Sequence, residues 1–597
     1  MAEPLAITDY KDLRKLCTKR PQDRDPARSD LRTIYALDTE TYKGNLFLMA
    51  DSEGNFLDKI TPEEVLKFLF HKRYQDSWNF FWHLGFDAEV ILKQLGSELY
   101  RYKKTRKLSF RFEEFKIDYI PNRRLRIRKG HHSTIFFDIA QFYNNVSLVQ
   151  AYEENIAKLD SGYLEMKNNR DSFSRWFYKN NRNKVRTYCI HDCGLTKQLS
   201  ERWIMLSHDA FGFYPARWIS PGYIAEKVLI NNEIDIPKFN SIPYEIQELA
   251  FRCYFGGRFE ILKRGFVGKA FLYDINSAYP YAFSQIPNLS KGKWTRKKSI
   301  DPKAKIGFFR ITANIPDCKY IPPFPFRAKT MIIFPSGRFE TYVTLPELLA
   351  CEDTKFYKIL DSWQFIPDSN EYIYREFVEK LYKKRLELKK INNPLQLPIK
   401  IILNSIYGKT GEYDKLTKKI GNLFNPVIFT TITGIARAQL YKFVIDNKLE
   451  KKVISFATDS IMVTEDLKTD SSILGTFSFD NSAHDVFVLQ NGINRMNGKW
   501  KKRGMGKLNG KEIENLENYE KNGRLYMKYI ESRNTRLKTA INENRISDIG
   551  KFSLKVREIN LNADRKRLWL GKIESIDSKI MNESVPISMN YFLNHEI

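Results

Sequence analysis

Residues 273–280 read Tyr-Asp-Ile-Asn-Ser-Ala-Tyr-Pro and follow the apolar run Ala270-Phe271-Leu272, which has the composition of a buried strand. The pattern places Asp274 at the end of that strand. A second acid, Asp459, stands in VISFATDSIMV (453–463), where β-formers flank Ala457-Thr458-Asp459-Ser460 on both sides, as in two strands joined by a tight turn. Two carboxylates about 4 Å apart repel by roughly 4 kcal/mol at an effective dielectric of about 20, so a site holding both ionised is expected to take divalent cations. Mg²⁺ between carboxylates and phosphates suits phosphoryl transfer.

Between these acids lies PIKIILNSIYG (398–408), with Pro at a first helical position and Gly after the last periodic residue. Helical pitch puts Lys400, Asn404 and Tyr407 on one face about 10 Å long, while Ile401, Ile402 and Ile406 lie elsewhere around the helix. Such a face suits a nucleotide: Lys for a triphosphate, Tyr for a sugar or base, Gly for close approach.

DxxSxYP at 274–280, KxxxNSxYG at 400–408 and TDS at 458–460, in that order, resemble the three polymerase motifs of family B DNA polymerases. Their spelling is similar to the protein-primed subgroup of phages, linear plasmids and other mobile elements. The resemblance implies an α/β (α+β) multidomain chain, with an N-terminal ribonuclease H-like exonuclease domain followed by a right-hand polymerase domain of palm, fingers and thumb. It implies two Mg²⁺ ions per active site, replaceable by Mn²⁺, on Asp274, Asp459 and the Ile275 carbonyl. Lys400 would meet the triphosphate, Asn404 and Tyr407 the nascent pair, and Tyr279 the sugar, excluding a 2′-hydroxyl. The family commonly has a first Asp where this chain has Ala457, leaving Asp459 as the bridging ligand.

Composition agrees with that class. With 597 residues, 42% apolar and 14% aromatic, the chain is a multi-domain globular protein, and 98 Lys and Arg against 71 Asp and Glu give +27. Such charge implies a polyanionic partner, against the plainer reading of a basic, soluble surface. No 18-residue apolar segment or signal peptide is visible, so a cytoplasmic protein without membrane attachment is expected. Its partners would be DNA template and primer, dNTPs and a terminal protein as primer, with the chain itself a monomer. Six scattered cysteines suit a reduced chain, and Cys189 to Cys193 lacks the second pair of a zinc site.

LRTIYALDTETY (31–42) reads as a strand ending in Asp38-Thr39-Glu40, with both acids on one face: a metal pair or a solvated turn. In NFFWHLGFDAEVILKQL (79–95) an aromatic run passes into a helix, and capping alone would account for Asp87. VRTYCIHDCGLTKQL (185–199) is helical, with Tyr188 and Asp192 sharing a face. Together Asp38, Glu40, Asp87, Tyr188 and Asp192 resemble the DxE, FD and YxxxD motifs of the family's 3′–5′ proofreading exonuclease. That likeness implies metals on Asp38, Glu40 and Asp192, and Tyr188 orienting the attacking water or the scissile phosphate. His83 stands where the family has an Asn that holds single-stranded DNA.

RCYFGGRFE (252–260) is a hairpin turn or a template holder; Tyr254, Gly256 and Gly257 resemble the family's YxGG segment, and TGIAR (433–437) its TxxAR segment. Arg437 is then a template or primer contact, or a surface arginine. GKWKKRGMGK (498–507) is a basic patch around Trp500, from which Lys501 and Lys502 would grip the primer strand. A helix over 371–390, carrying Phe377, Leu381, Lys384 and Leu388 on one stripe, pairs with the Lys400 helix as fingers. The short strands of 291–365 fall where the protein-primed subgroup has its first terminal-protein-region insertion, whereas 411–426 leaves little room for the second.

The expected divisions are a basic tail over 1–30, the exonuclease over 31–205 and the polymerase over 206–597. Within the latter the palm takes about 250–290 and 427–485, the insertion 291–365, the fingers 366–426 and the thumb 498–597. The rivals are an exonuclease with a decayed polymerase half, a polymerase needing no protein primer, and a basic nucleic-acid-binding scaffold.

Overall fold

The computed structural model describes residues 17–18, 30–170, 173–328, 331–414, 419–469, 471–503, 518–521, 524–576 and 578–595. Most of the 1–30 tail therefore lies outside the described residues, although Cys17–Thr18 pairs in parallel with Lys419–Ile420.

In the N-terminal part, β1 (Ile34–Tyr42) and β2 (Asn45–Asp51) form a hairpin whose Lys43-Gly44 turn has both residues at positive φ, matching strand twist. The strand does not end at its acids as expected. It runs on to Tyr42, because the turn chemistry lies at Lys43-Gly44. β1 pairs in parallel with β3 (Trp78–Phe81), and β3 in parallel with β4 (His132–Asp138). All four residues of β3 are buried, as a central parallel strand covered on both faces requires. The sheet runs Phe56–Leu57, β2, β1, β3, β4, Arg124–Lys129, Phe115–Ile120, Ser109–Phe112.

Two helices complete this layer: α1 (Leu84–Lys93) and the 30-residue α2 (Arg182–Phe211), which packs on β1 and β2. α2 outlasts the expected boundary near 205 because nothing breaks it before Gly212, whose φ of 79° makes a left-handed stop. Ser220 then caps the helix Pro221–Asn231, which leads into the second half.

That half is built on an antiparallel sheet of β5 (Arg258–Ile261), β6 (Lys263–Ile275), β7 (Val453–Thr458), β8 (Ser460–Val463), β9 (Phe477–Gln490), β10 (Ile493–Met496) and β11 (Lys499–Lys502), in the order β5-β7-β8-β6-β9-β10-β11. β11 and the late strand Met581–Pro586, which pairs with Lys263–Gly265, both belong to this sheet, although both come from the stretch expected as thumb. Over it lie α3 (Ala278–Ser284) and α6 (Pro426–Asp446); Leu440 and Val444 of α6 share a core with Tyr273, Ile275, Phe456 and Ile461. The 291–365 segment forms its own sheet, in the order Gly292–Arg296, Tyr357–Pro367, Ile306–Ile315, Gly337–Thr344.

Next come α4 (Ile373–Lys390) and α5 (Gln396–Thr410), the pair expected as fingers. α5 begins two residues before Pro398 and carries Gly408 inside it, since the missing N–H of a third-position proline costs a first turn nothing. Between 411 and 426 the described residues hold only the two-residue strands Tyr413–Asp414 and Lys419–Ile420. A three-stranded sheet of Asn518–Lys521, Arg524–Asn534 and Phe552–Asn560 stands in the thumb position. Its connecting helix α7 (Leu537–Asn542) packs Leu537, Ala540 and Ile541 into the N-terminal core beside Leu84 and Ala88. Among the described residues no helix is long and apolar enough to cross a membrane.

Candidate active sites

At the rim of the antiparallel sheet, Asp274 lies opposite Ser460 in the β6–β8 ladder, and the Ile275 N–H donates to the Asp459 carbonyl at 2.9 Å. The two acids expected to share a site do so. Burial, then the charges of Asp459 and Asp480, push the Asp274 carboxyl up to about 7. Burial also raises Asp459, and Lys501, exposed on β11, pulls against the rise at both acids.

The turn that holds Asp459 is strained. Its N–H donates to the Ala457 carbonyl at 2.9 Å across Thr458, whose φ is +74°, the rarer form of the three-residue turn and costly for a β-branched residue. Gly257 braces it: a Cβ there would stand 2.7 Å from Thr458 Cγ2. Neighbouring Gly256, at φ +70°, presents its carbonyl to Arg437, and the Arg437 guanidinium forks onto the buried Glu347 at 2.8 and 2.9 Å. Glu347 in turn closes the capping box of Thr344.

Above the acids, the Tyr279 and Tyr407 rings stack at 4.6 Å and 15°, and the Tyr407 hydroxyl lies 3.0 Å from that of Tyr254. Lys400 and Asn404 are exposed on the same face of α5, as helical pitch predicts. Desolvation, then the charges of Arg385 and Lys389 on α4, lower the Lys400 ammonium. Arg385 also donates to Ser277 Oγ at 3.2 Å, tying α4 to the loop after Asp274. Lys384 points away, toward the Ala210 carbonyl of α2.

The N-terminal half gathers a second set. Asp38 and Glu40 on β1 meet Asp87 of α1 and Asp192 of α2. Thr39 Oγ1 donates to Asp87 at 2.5 Å, and His83 rather than Asp87 occupies the cap of α1. Burial, then Asp87, Asp192 and Glu40, raises the Asp38 carboxyl well above its ordinary value; burial and Asp192 take Glu40 to about 8; burial takes Asp87 to about 7. The Tyr188 hydroxyl donates to Asp192 at 3.1 Å, Tyr163 donates to it at 2.5 Å, and Lys167 pairs with it. Glu40 is 9% exposed, and no described residue donates a hydrogen bond to its carboxylate. Such a crowd of buried, under-partnered acids fits a divalent cation, and Asp38, Glu40 and Cys189 hold three ligand atoms within 4.8 Å of one another.

The family model for DNA polymerase type B, organellar and viral, matches residues 124–423, half of the chain. The chain belongs to that family. A DNA polymerase of Acidianus bottle-shaped virus (isolate Italy/Pozzuoli) is 27% identical over 313 residues, 47% of this chain and 45% of the relative, so the chain spans under half of that relative's length. Two solved structures share the fold. One is Phi29 DNA polymerase with primer-template DNA (TM-score 0.63, 14% identity) and the other its ternary complex with incoming nucleotides (0.62, 13%). Each match covers 89% of this chain and 100% of the other.

Within this type B polymerase, several expected site residues stand elsewhere than foreseen. Tyr254 and Phe255 are 7% and 5% exposed, so neither offers a stacking face; Tyr254 is edge-on to Phe429 and bonded to Tyr407. Gly256 and Gly257 serve Arg437 and Thr458 as described, and Arg437, 3% exposed, is neither a surface arginine nor turned toward solvent. The family resemblance implies a template or primer contact; a buried carboxylate 90 residues away claims the guanidinium instead. Lys502's side chain lies outside the described residues, and His83 is exposed with φ +58°.

Residues without a sequence signal also enter the sites. Tyr163 and Lys167, one turn apart on Ser161–Asn168, reach Asp192. Asp138, at the end of β4, is 1% exposed and pushed to about 7 by burial; it accepts from the Ala140 N–H and from the backbone at His83 and Leu84, anchoring the start of α1. Asp480 lies where the β6–β9 ladder skips a residue. Only Asp138 had a local signal, as the carboxylate that ends the apolar run Ile135-Phe136-Phe137.

Proposed function

We propose that this chain is a template-directed DNA polymerase with a separate 3′–5′ proofreading exonuclease, acting on DNA template and primer and on dNTPs. The observation that carries the reading is Asp274 beside Asp459 at a sheet rim, under the Tyr279–Tyr407 stack and within reach of the Lys501 charge. At each centre two divalent cations, Mg²⁺ by the oxygen donors with Mn²⁺ able to replace it, would supply the activation of the attacking oxygen and the stabilisation of the leaving one. Asp274, Asp459 and the Ile275 carbonyl would hold them in the palm. Asp38, Glu40 and Asp192 would hold them in the exonuclease.

The chain's own residues do the rest. Lys400, with Arg385 and Lys389 crowding it, faces the triphosphate as a fixed field of positive charge. Tyr279, held flat against Tyr407, leaves a wall where a ribose 2′-hydroxyl would sit, and Asn404 borders the nascent pair. Lys501 lies along the primer strand. In the exonuclease, Asp192 is held by Tyr163, Tyr188 and Lys167, and Tyr188 then orients the attacking water or the scissile phosphate.

A terminal protein's hydroxyl as primer is supported by the motif spelling and by the separate sheet inserted between α3 and α4. The chain acts as a monomer inside its host cell in this reading. Ala457 favours one rival, an exonuclease whose polymerase half has decayed.

Labelled dNTP incorporation with Mg²⁺ on a primed and on an unprimed linear template tests all of this. Extension from the primer alone supports the polymerase and leaves initiation to a terminal protein. No incorporation, with single-strand degradation intact, selects the nuclease. Asp459→Asn is expected to abolish incorporation and spare degradation, and Asp38→Ala to do the reverse; loss of both activities in either variant would refute two separate centres.

A further inference from the structure

We propose that Cys189 turns the Asp38–Glu40 pair into a site for a thiophilic divalent cation of the zinc class, a preference the palm centre does not share. The inference rests on reading this cluster as a divalent-cation site. Cys189 follows Tyr188 on α2 and is fully buried, and its Sγ lies 3.9 Å from the Asp38 carbonyl because α2 packs on β1. Sγ and one oxygen each of Asp38 and Glu40 lie within 4.8 Å of one another. In a tetrahedral zinc site with zinc–sulfur and zinc–oxygen bonds of about 2.3 and 2.1 Å, donors stand about 3.4 to 3.6 Å apart, so closing around an ion asks for a contraction of up to about 1.4 Å. Glu40, nine-tenths buried with no described hydrogen-bond donor, is the second sign that something cationic completes the cluster.

The thiol is not alone. Cys193, one turn on, lies 3.4 Å from the Ala50 carbonyl, so both sulfurs sit against the sheet. The palm centre, by contrast, gathers Asp274, Asp459 and Asp480, oxygen donors throughout. Sulfur selects zinc-like ions over Mg²⁺, and oxygen sets suit Mg²⁺. On binding, the Cys189 proton passes to solvent and the thiolate takes one coordination position. A four-coordinate ion there replaces Mg²⁺ and holds editing off while incorporation continues.

Cadmium is the probe, read by its thiolate charge-transfer absorption in the ultraviolet, in a Cys17→Ser, Cys318→Ser background. One equivalent of Cd²⁺ is expected to develop the band, excess Zn²⁺ to suppress it, Cys189→Ser to abolish it and Cys193→Ser to retain it. Circular dichroism checks that Cys189→Ser is folded. A band that survives Cys189→Ser, or that vanishes only in Cys193→Ser, overturns the proposal. As a second measurement, the Zn²⁺ concentration that halts degradation should rise about tenfold or more in Cys189→Ser; an unchanged value overturns the inhibitory role. Failure of the exonuclease reading shows separately, as no degradation by the unsubstituted chain with Mg²⁺, and leaves the absorption result intact.

Discussion

Glu40, Asp87 and Asp274 share an electrostatic predicament: burial and neighbouring acids lift their carboxyls to about 8, 7 and 7. In metal-free protein the folded state therefore binds protons more tightly than the unfolded chain. The stability these groups lend is fully present below about pH 4 and is lost as pH rises through about 7 to 8. Cations replace the missing protons. The melting temperature in Mg²⁺ should thus exceed that in chelator by little near pH 5 and by a widening margin toward pH 8. A margin independent of pH would mean that the acids are not cation sites. Alternation along β1 made Asp38 and Glu40 legible as a pair in the sequence, and helical spacing did the same for Tyr188 with Asp192. Nothing local marks Lys167 or Asp480, since each joins its site through a contact between separate elements.

At the scale of elements, the order Glu347, Arg437, Gly256, Gly257, Thr458, Asp459 is a line of contacts linking the short helix Leu345–Ala350, α6, the loop before β5 and the β7–β8 turn. The first five of these residues position Asp459. Gly257→Val should push on Thr458 and cut incorporation at least about tenfold while leaving single-strand degradation as it was, a split measured on one preparation; equal loss of both would mean general misfolding. Arg437→Ala leaves Glu347 buried without its partner and should cost about 3–5 kcal/mol in denaturant unfolding, with Arg437→Lys recovering only part because it lacks the fork. A near-neutral Arg437→Ala would restore the template-contact reading of this arginine. α5 illustrates the opposite case: its polar face was fully readable from spacing, because exposure on a helix follows pitch alone.

For the whole molecule, the three-stranded sheet of Asn518–Lys521, Arg524–Asn534 and Phe552–Asn560 is locked to the N-terminal half through α7 and its flanking residues. The Leu537 N–H donates to the buried Glu89 carboxylate at 3.0 Å, Arg536 stands beside it, and the Gly44 turn after β1 abuts Gly550 and Lys551 so closely that a Cβ on Gly44 would meet the Lys551 nitrogen at 2.6 Å. The segment joining the second and third strands of this sheet thus touches the turn that follows Glu40 and the helix that carries Asp87. Leu537→Asp, which buries an unpaired charge in this contact, should split calorimetric unfolding into two transitions where the unsubstituted protein gives one. A single, merely lowered transition would show that the halves do not depend on this contact for their cooperativity.

Motif spelling was enough to assign the family, and periodicity put Asp38 with Glu40 and Tyr188 with Asp192 on shared faces, because strand alternation and helical pitch are local to the chain. Burial was not available from those patterns. Whether Arg437 meets a phosphate or Glu347, whether Tyr254 stacks on a base or on Phe429, and whether Gly257 admits a substrate or Thr458 were decided only when distant segments packed, since a buried charge or ring takes whatever partner the fold brings within a few ångströms.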